Sequence, residues 1–214
     1  MKLKIQKTAK VAVQGNPETA KYCWIVLHGY GQLADYFIRK FSSLDEKEHF
    51  VIAPEGIHRF YLKGTSGRVG ASWMTKEERQ DDITDNIQYL DQVAAELAAN
   101  HSFEKVVVLG FSQGASTAAR WIQQGQFPID CFVQWAGVFP PDLELPSENN
   151  RFDTIRHLVV IGKEDPYFKN QDDLSQPEQV KRVSKDPKVI WFAGDHNIYP
   201  EPLADVCKEI VGQN

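Results

Sequence analysis

The sequence predicts an α/β fold with a mostly parallel central sheet carrying helices on both faces. Two observations lead there. Short apolar, β-branched runs closed by glycine or turn residues recur along the chain, and helical patterns fall between most of them. Strands that alternate with helices pair in parallel, and the helices then cover both faces of the sheet.

In chain order, Lys2–Lys7 and Lys10–Gln14 read as an N-terminal hairpin. Central strands follow at Cys23–Leu27, Phe50–Ala53, Lys105–Leu109, Cys131–Ala136, His157–Ile161 and Lys188–Phe192. The clearest helix spans Lys76–Ala99, where Ile83, Ile87, Leu90, Val93, Ala94 and Leu97 form one apolar stripe. Thr75, followed three residues later by Glu78, has the spacing of a capping box. A small-residue helix covers Ala115–Gln124. The last helix starts near Glu201, with Pro202 in its first turn and Leu203, Val206, Cys207 and Ile210 facing inward. Gly64–Gly70 and Pro140–Arg151 read as surface excursions between core elements. With no repeat, low-complexity tract or linker, the 214 residues read as one domain, 1–214.

Composition narrows the function classes. Hydrophobic residues at 42% and aromatics at 11% supply a sizeable core and exclude a disordered chain. A formal net charge of −5 without a long Lys/Arg run argues against nucleic acid as a partner. No stretch is apolar for long enough to be a signal peptide or a membrane span. The three cysteines, Cys23, Cys131 and Cys207, are far apart, odd in number and set in apolar patterns. They read as buried thiols in a reducing cytoplasm rather than as disulfides.

Chemistry concentrates at residues 106–115, where Val106–Leu109 runs into Gly110-x-Ser112-x-Gly114 and then a helix. A strand-to-helix turn this sharp strains the serine backbone and presents its hydroxyl as a nucleophile. The flanking glycines are needed because strand and helix cross with no room for a Cβ. A serine nucleophile needs a base, an acid that orients the base, and donors for the oxyanion. Of the six histidines, His196 follows the last strand, and the chain order Ser, acid, His of α/β hydrolases makes it the base. His28 precedes Gly29-Tyr30-Gly31, resembles the brace of an oxyanion loop, and is not read as the base. The other four read as structural or exposed.

The acid is expected after His157–Ile161, where Glu164 and Asp165 are adjacent. Gly-x-x-Asp and the constraint from Pro166 favour Asp165. Asp195 is a poor orienter because it neighbours His196 in an extended turn, and Asp142 follows two prolines in a loop. No cluster has metal-ligand spacing, so neither metal nor cofactor is expected.

Across nearly its whole length the chain resembles the phospholipase/carboxylesterase family of α/β hydrolases, which includes acyl-protein thioesterases. The resemblance rests on Leu27-His28-Gly29-Tyr30-Gly31, Ala53-Pro54-Glu55-Gly56, Ala71-Ser72-Trp73, Gly110-Phe111-Ser112-Gln113-Gly114-Ala115, Gly162-Lys163-Glu164-Asp165 and Gly194-Asp195-His196. It implies Ser112 as nucleophile, Asp165 as acid and His196 as base. It also implies an oxyanion hole from the backbone N–H groups of Tyr30 and Gln113, and Trp73 as an aromatic wall beside the acyl pocket. Phe111 joins Phe60, Tyr61, Tyr167 and Phe168 as a candidate apolar lining, and the segments Tyr61–Met74 and Tyr167–Leu174 as pocket walls. The family's usual acidic residues are replaced by Gln32 and by Met74-Thr75, and its commoner leucine by Tyr30.

The expected reaction is hydrolysis of a small-molecule carboxylic ester or thioester through an acyl-enzyme. A peptidase of the same fold and a non-catalytic binding protein on the same scaffold are the alternatives. A dienelactone hydrolase would need a cysteine at position 112. Oligomeric state, monomer or homodimer, is left open.

Overall fold

The computed structural model describes residues 1–146, 148–168, 180–181 and 183–212, and nine strands and four α-helices are bounded within those residues. Seven strands form one sheet in the order β1-β3-β2-β6-β7-β8-β9. They are β1 Val11–Gln14, β2 Tyr22–Leu27, β3 His49–Pro54, β6 Lys105–Phe111, β7 Cys131–Trp135, β8 Arg156–Gly162 and β9 Lys188–Phe192. All neighbours pair in parallel except β1, which lies antiparallel on β3. The four central strands are buried on both faces almost throughout, as near-continuous runs such as Cys-Trp-Ile-Val-Leu and Val-Val-Val-Leu require.

Alternation along each strand divides the core. Trp24, Val26, Leu109, Val133 and Trp135 point to one face, under α1 (Ala34–Phe37) and α4 (Pro200–Val211), which supply Phe37, Leu203, Val206 and Ile210. Cys23, Ile25, Leu27, Val108 and Phe132 point to the other, under α2 (Arg79–Asn100) and α3 (Gln113–Gln124), which supply Leu90, Ala94, Ala118 and Trp121. Cys23 and Cys131 are buried free thiols, Cys207 is partly buried, and desolvation pushes all three up to about 12. Among the described residues, no helix is long and apolar enough to cross a membrane.

Three expectations are corrected. Residues 2–7 form no strand, so there is no N-terminal hairpin. Lys7-Thr8-Ala9-Lys10 lacks turn residues, and Leu3 and Ile5 stay 74% and 83% exposed with no face to bury. Gly64–Gly70 is not wholly loop: β4 (His58–Tyr61) and β5 (Val69–Ser72) form a separate antiparallel hairpin around it. Helix α2 begins at Arg79 rather than Lys76, because the capping box does not form. Thr75 Oγ1 instead accepts from the Glu77 N–H at 3.2 Å, and Glu78 takes a φ of +47°.

His157 on β8 is fully buried in the core. Its ring packs 4.8 Å from Phe132, Nε2 bonds Gln134 Oε1 at 3.2 Å, and burial pushes its pKa down to about 3. Burial also pushes His28 and His49 down. In the unfolded chain these imidazoles take up protons near their ordinary value of 6.5. Folding therefore releases protons below that pH: the stability is complete above 6.5 and is lost as pH falls toward 3. Melting temperature is expected to fall steadily below pH 6.5, and His157→Phe is expected to flatten that acid limb. An unchanged slope in thermal melts of that variant would contradict the linkage.

Candidate active site

The C-terminal ends of β2, β6, β8 and β9 carry the residues singled out by sequence. Helix α3 starts directly after β6, and the residue at the junction, Ser112, has φ +54° and ψ −118°. Such a conformation costs a non-glycine residue on the order of 1–3 kcal/mol and persists only where packing enforces it. The enforcement is visible on both sides. A Cβ on Gly114 would stand 2.2 Å from the Leu27 carbonyl oxygen, and one on Gly110 would stand 2.4 Å from Ala115 Cα. Ser112 N–H donates to the Trp135 carbonyl at 3.0 Å, fixing the turn to β7.

Opposite the turn, the loop after β2 passes so close that a Cβ on Gly29 would lie 3.2 Å from Ser112 Cβ. His28 holds that loop, as its sequence context suggested. It is fully buried, its Nε2 accepts from the Gly56 N–H at 2.9 Å, and its Nδ1 bonds the Gly29 carbonyl at 2.7 Å. Gly31 N–H donates to Ala71 O at 2.8 Å and Ala71 N–H to Gln32 O at 3.2 Å, which seats the loop on β5. No described residue accepts a hydrogen bond from the Tyr30 or Gln113 backbone N–H. Gln113 follows Ser112 in the first turn of α3, and Tyr30 follows Gly29 on the loop.

Asp165 and His196 meet. Asp165 is fully buried, and its Oδ2 accepts from His196 Nδ1 at 2.7 Å while its Oδ1 accepts from the Tyr167 N–H at 2.9 Å. Glu164 is exposed, with its N–H on the Gly194 carbonyl at 2.9 Å, so it does not take this place. Asp195 is turned outward to the Tyr199 hydroxyl at 2.8 Å, and Asp142 pairs with Arg120 at 2.7 Å. The β8 and β9 loops are locked together: a Cβ on Gly162 would sit 2.4 Å from the Gly194 carbonyl oxygen. The His196 ring packs 4.9 Å from Phe111, the residue just before Ser112. Ser112 Oγ itself has no hydrogen-bond partner among the described residues.

The two aromatics expected to line the acyl pocket are both buried in the core. Trp73 is fully buried; its Nε1 donates to the His28 carbonyl at 2.8 Å and its ring packs, tilted, 5.1 Å from that imidazole. Phe111 is 3% exposed and supports His196 and Phe37. Tyr167 packs 4.7 Å from His196, Tyr30 packs 5.0 Å from Phe60, and Tyr30, Tyr61 and Tyr167 are exposed. Of the expected wall Tyr167–Leu174, residues 169–174 lie outside the described residues.

Two positioning groups were not read from the sequence. Gln32 Oε1 accepts from the Gly29 N–H at 2.8 Å. The Gln113 side chain donates to Met74 O at 2.9 Å and accepts from the Trp73 N–H at 3.2 Å, bracing the turn after β5. Gln113 had a signal, its place in Gly-Phe-Ser-Gln-Gly, but an amide's partners across the fold are not encoded locally.

A parallel sheet with a strained serine at one strand end and an Asp–His pair at two others defines the α/β-hydrolase fold. Residues 8–211 match the phospholipase/carboxylesterase family, and the chain belongs to that family. Among solved structures it is similar to acyl-protein thioesterase 2 of Zea mays, at 22% identity and a TM-score of 0.73, covering 96% of this chain and 99% of that one. It is also similar to a carboxylesterase of Mesorhizobium loti, at 15% identity and a TM-score of 0.69, covering 96% and 95%. A Bacillus cereus carboxylesterase aligns at 15% identity with a TM-score of 0.66, covering 94% and 92%. No curated protein sequence matches the chain.

Because the Gly114 Cβ position is occupied by a backbone carbonyl, Gly114→Ala is expected to cost about 2 kcal/mol or more. That corresponds to a fall in Tm of roughly 5 °C for a chain of this size. A variant melting at the wild-type temperature would contradict the close approach of α3 to β2.

Proposed function

We propose that the chain hydrolyses carboxylic esters or thioesters by two-step acyl transfer, with Ser112 as nucleophile, His196 as general base and Asp165 as its orienting acid. The observation that carries this reading is the 2.7 Å bond from His196 Nδ1 to a fully buried carboxylate. With the Nδ1 proton committed to Asp165, Nε2 is the acceptor that a hydroxyl proton requires. The family and the esterase and thioesterase relatives support the same chemistry.

In the first step Ser112 Oγ attacks the acyl carbonyl and its proton passes to His196 Nε2. The carbonyl oxygen becomes negative between the Tyr30 and Gln113 N–H groups, and the α3 N-terminal dipole favours that charge. The tetrahedral species collapses as His196 gives the proton to the departing alkoxide or thiolate. Water then enters, loses a proton to His196, attacks the acyl carbon, and the acid leaves as Ser112 regains its proton. The free hydroxyl of Ser112 is consistent with this sequence, since hydroxyl–imidazole bonds often tighten only when substrate is bound.

Ser112→Ala is expected to lower kcat for p-nitrophenyl acetate by about a million-fold. Asp165→Asn is expected to lose about ten-thousand-fold by fixing the wrong tautomer. Glu164→Gln should stay within a few-fold of wild type. Near-wild-type turnover by Ser112→Ala, or a larger loss in Glu164→Gln than in Asp165→Asn, would overturn the assignment.

A further inference from the structure

We infer that Tyr167 is a positioning residue for His196, an inference that rests on the reading above. Its contacts reach both members of the acid–base pair. Its backbone N–H donates to Asp165 Oδ1 at 2.9 Å, which leaves Oδ2 for the imidazole, and its ring centroid lies 4.7 Å from that of His196 at an interplanar angle of 58°. Phe111 contacts the same imidazole at 4.9 Å. Phe111 belongs to the core, whereas Tyr167 is 70% exposed. A tyrosine this exposed adds little to the core, yet its ring is set against the one group whose charge changes during the reaction.

The physical effect follows from the charge that develops. In both steps the imidazole becomes an imidazolium in the transition state. A cation placed toward an aromatic face within about 6 Å of its centroid is attracted to the ring's electron-rich face, and at 4.7 Å the tilted Tyr167–His196 pair lies within that reach. The neutral imidazole of the resting state gains less, so the contact favours the transition state over the ground state. Other charged groups near His196 are otherwise engaged. Asp165 is the carboxylate bonded to the ring. Asp195 faces the Tyr199 hydroxyl, Glu164 is exposed, and Lys40 bonds the Asn197 side chain. Pro166, immediately before Tyr167, restricts the backbone that sets the ring in place.

The test compares wild type, Tyr167→Phe and Tyr167→Leu across pH with p-nitrophenyl acetate, measuring kcat and KM separately, with thermal melts to verify folding. Phenylalanine keeps the ring face and should stay within twofold of wild type. Leucine keeps bulk without a π face; its kcat should fall about two- to tenfold with KM nearly constant. Its acid limb should move to lower pH, because the protonated imidazole loses a stabilising partner. Folded Tyr167→Leu with wild-type kcat and acid limb, or Tyr167→Phe as impaired as Tyr167→Leu, overturns the role of the ring. A wild-type chain that turns over no ester overturns the functional reading as well, so the two failures are told apart.

Discussion

The absence of room for a Cβ where β6 runs into α3 is the constraint on which the candidate site depends. Gly114 lets the helix approach the Leu27 and His28 carbonyls at the end of β2, Gly110 lets it pack on β6, and the chain can make that turn only by forcing Ser112 into a positive φ. The same approach fixes two further groups. It aims the Gln113 N–H beside the serine, and it brings the Gln113 side chain to Met74 and Trp73 after β5. Strain at one residue is thus held by the burial of many, including Ala118, Ala119 and Trp121 on the inner face of α3.

Around that turn, rigidity is distributed unevenly and for physical reasons. Asp165 is fully buried and doubly hydrogen-bonded, whereas His196 keeps one-fifth of its side-chain surface exposed. These exposures suit the proposed roles: a carboxylate that only orients a partner needs no solvent, and an imidazole that exchanges a proton with substrate and water must reach both. Beneath the loop after β2, His28 and Trp73 do the reverse. Both are fully buried, and burial holds His28 below its ordinary pKa, so a neutral ring can accept from the Gly56 N–H. Two histidines therefore sit at the C-terminal ends of separate strands, β2 and β9, with opposite duties, one structural and one proposed as chemical.

Much of this was legible in the sequence, because strands buried on both faces leave unbroken apolar runs. Val106–Leu109 and His157–Ile161 could be read directly, and their boundaries shift by only one or two residues. Ser112, Asp165 and His196 could be singled out as candidates because each lies just past the end of a strand read from the sequence. Other features were hidden. Val69–Ser72 carries Gly70 and Ala71, so β5 lacks the bulk of a strand; Gly70 is required there because the Gly31 carbonyl oxygen would stand 2.4 Å from its Cβ. The Thr75–Glu78 pattern failed because local turn bonds and the pairing of Lys2 with Glu78 at 2.6 Å compete for the capping groups. Trp73 could not be placed from the sequence, since only the fold reveals that its indole N–H points at the His28 carbonyl.

The central claim is that packing turns one ordinary serine hydroxyl into an activated nucleophile served by an oriented imidazole. Labelling the intact chain with a fluorophosphonate, followed by mass spectrometry of its peptides, measures this without knowledge of the substrate. The account predicts one label per chain, carried on Ser112, and none on the Asp165→Asn chain over the same interval. A wild-type protein that stays unlabelled, or that carries the label on another residue, would contradict it.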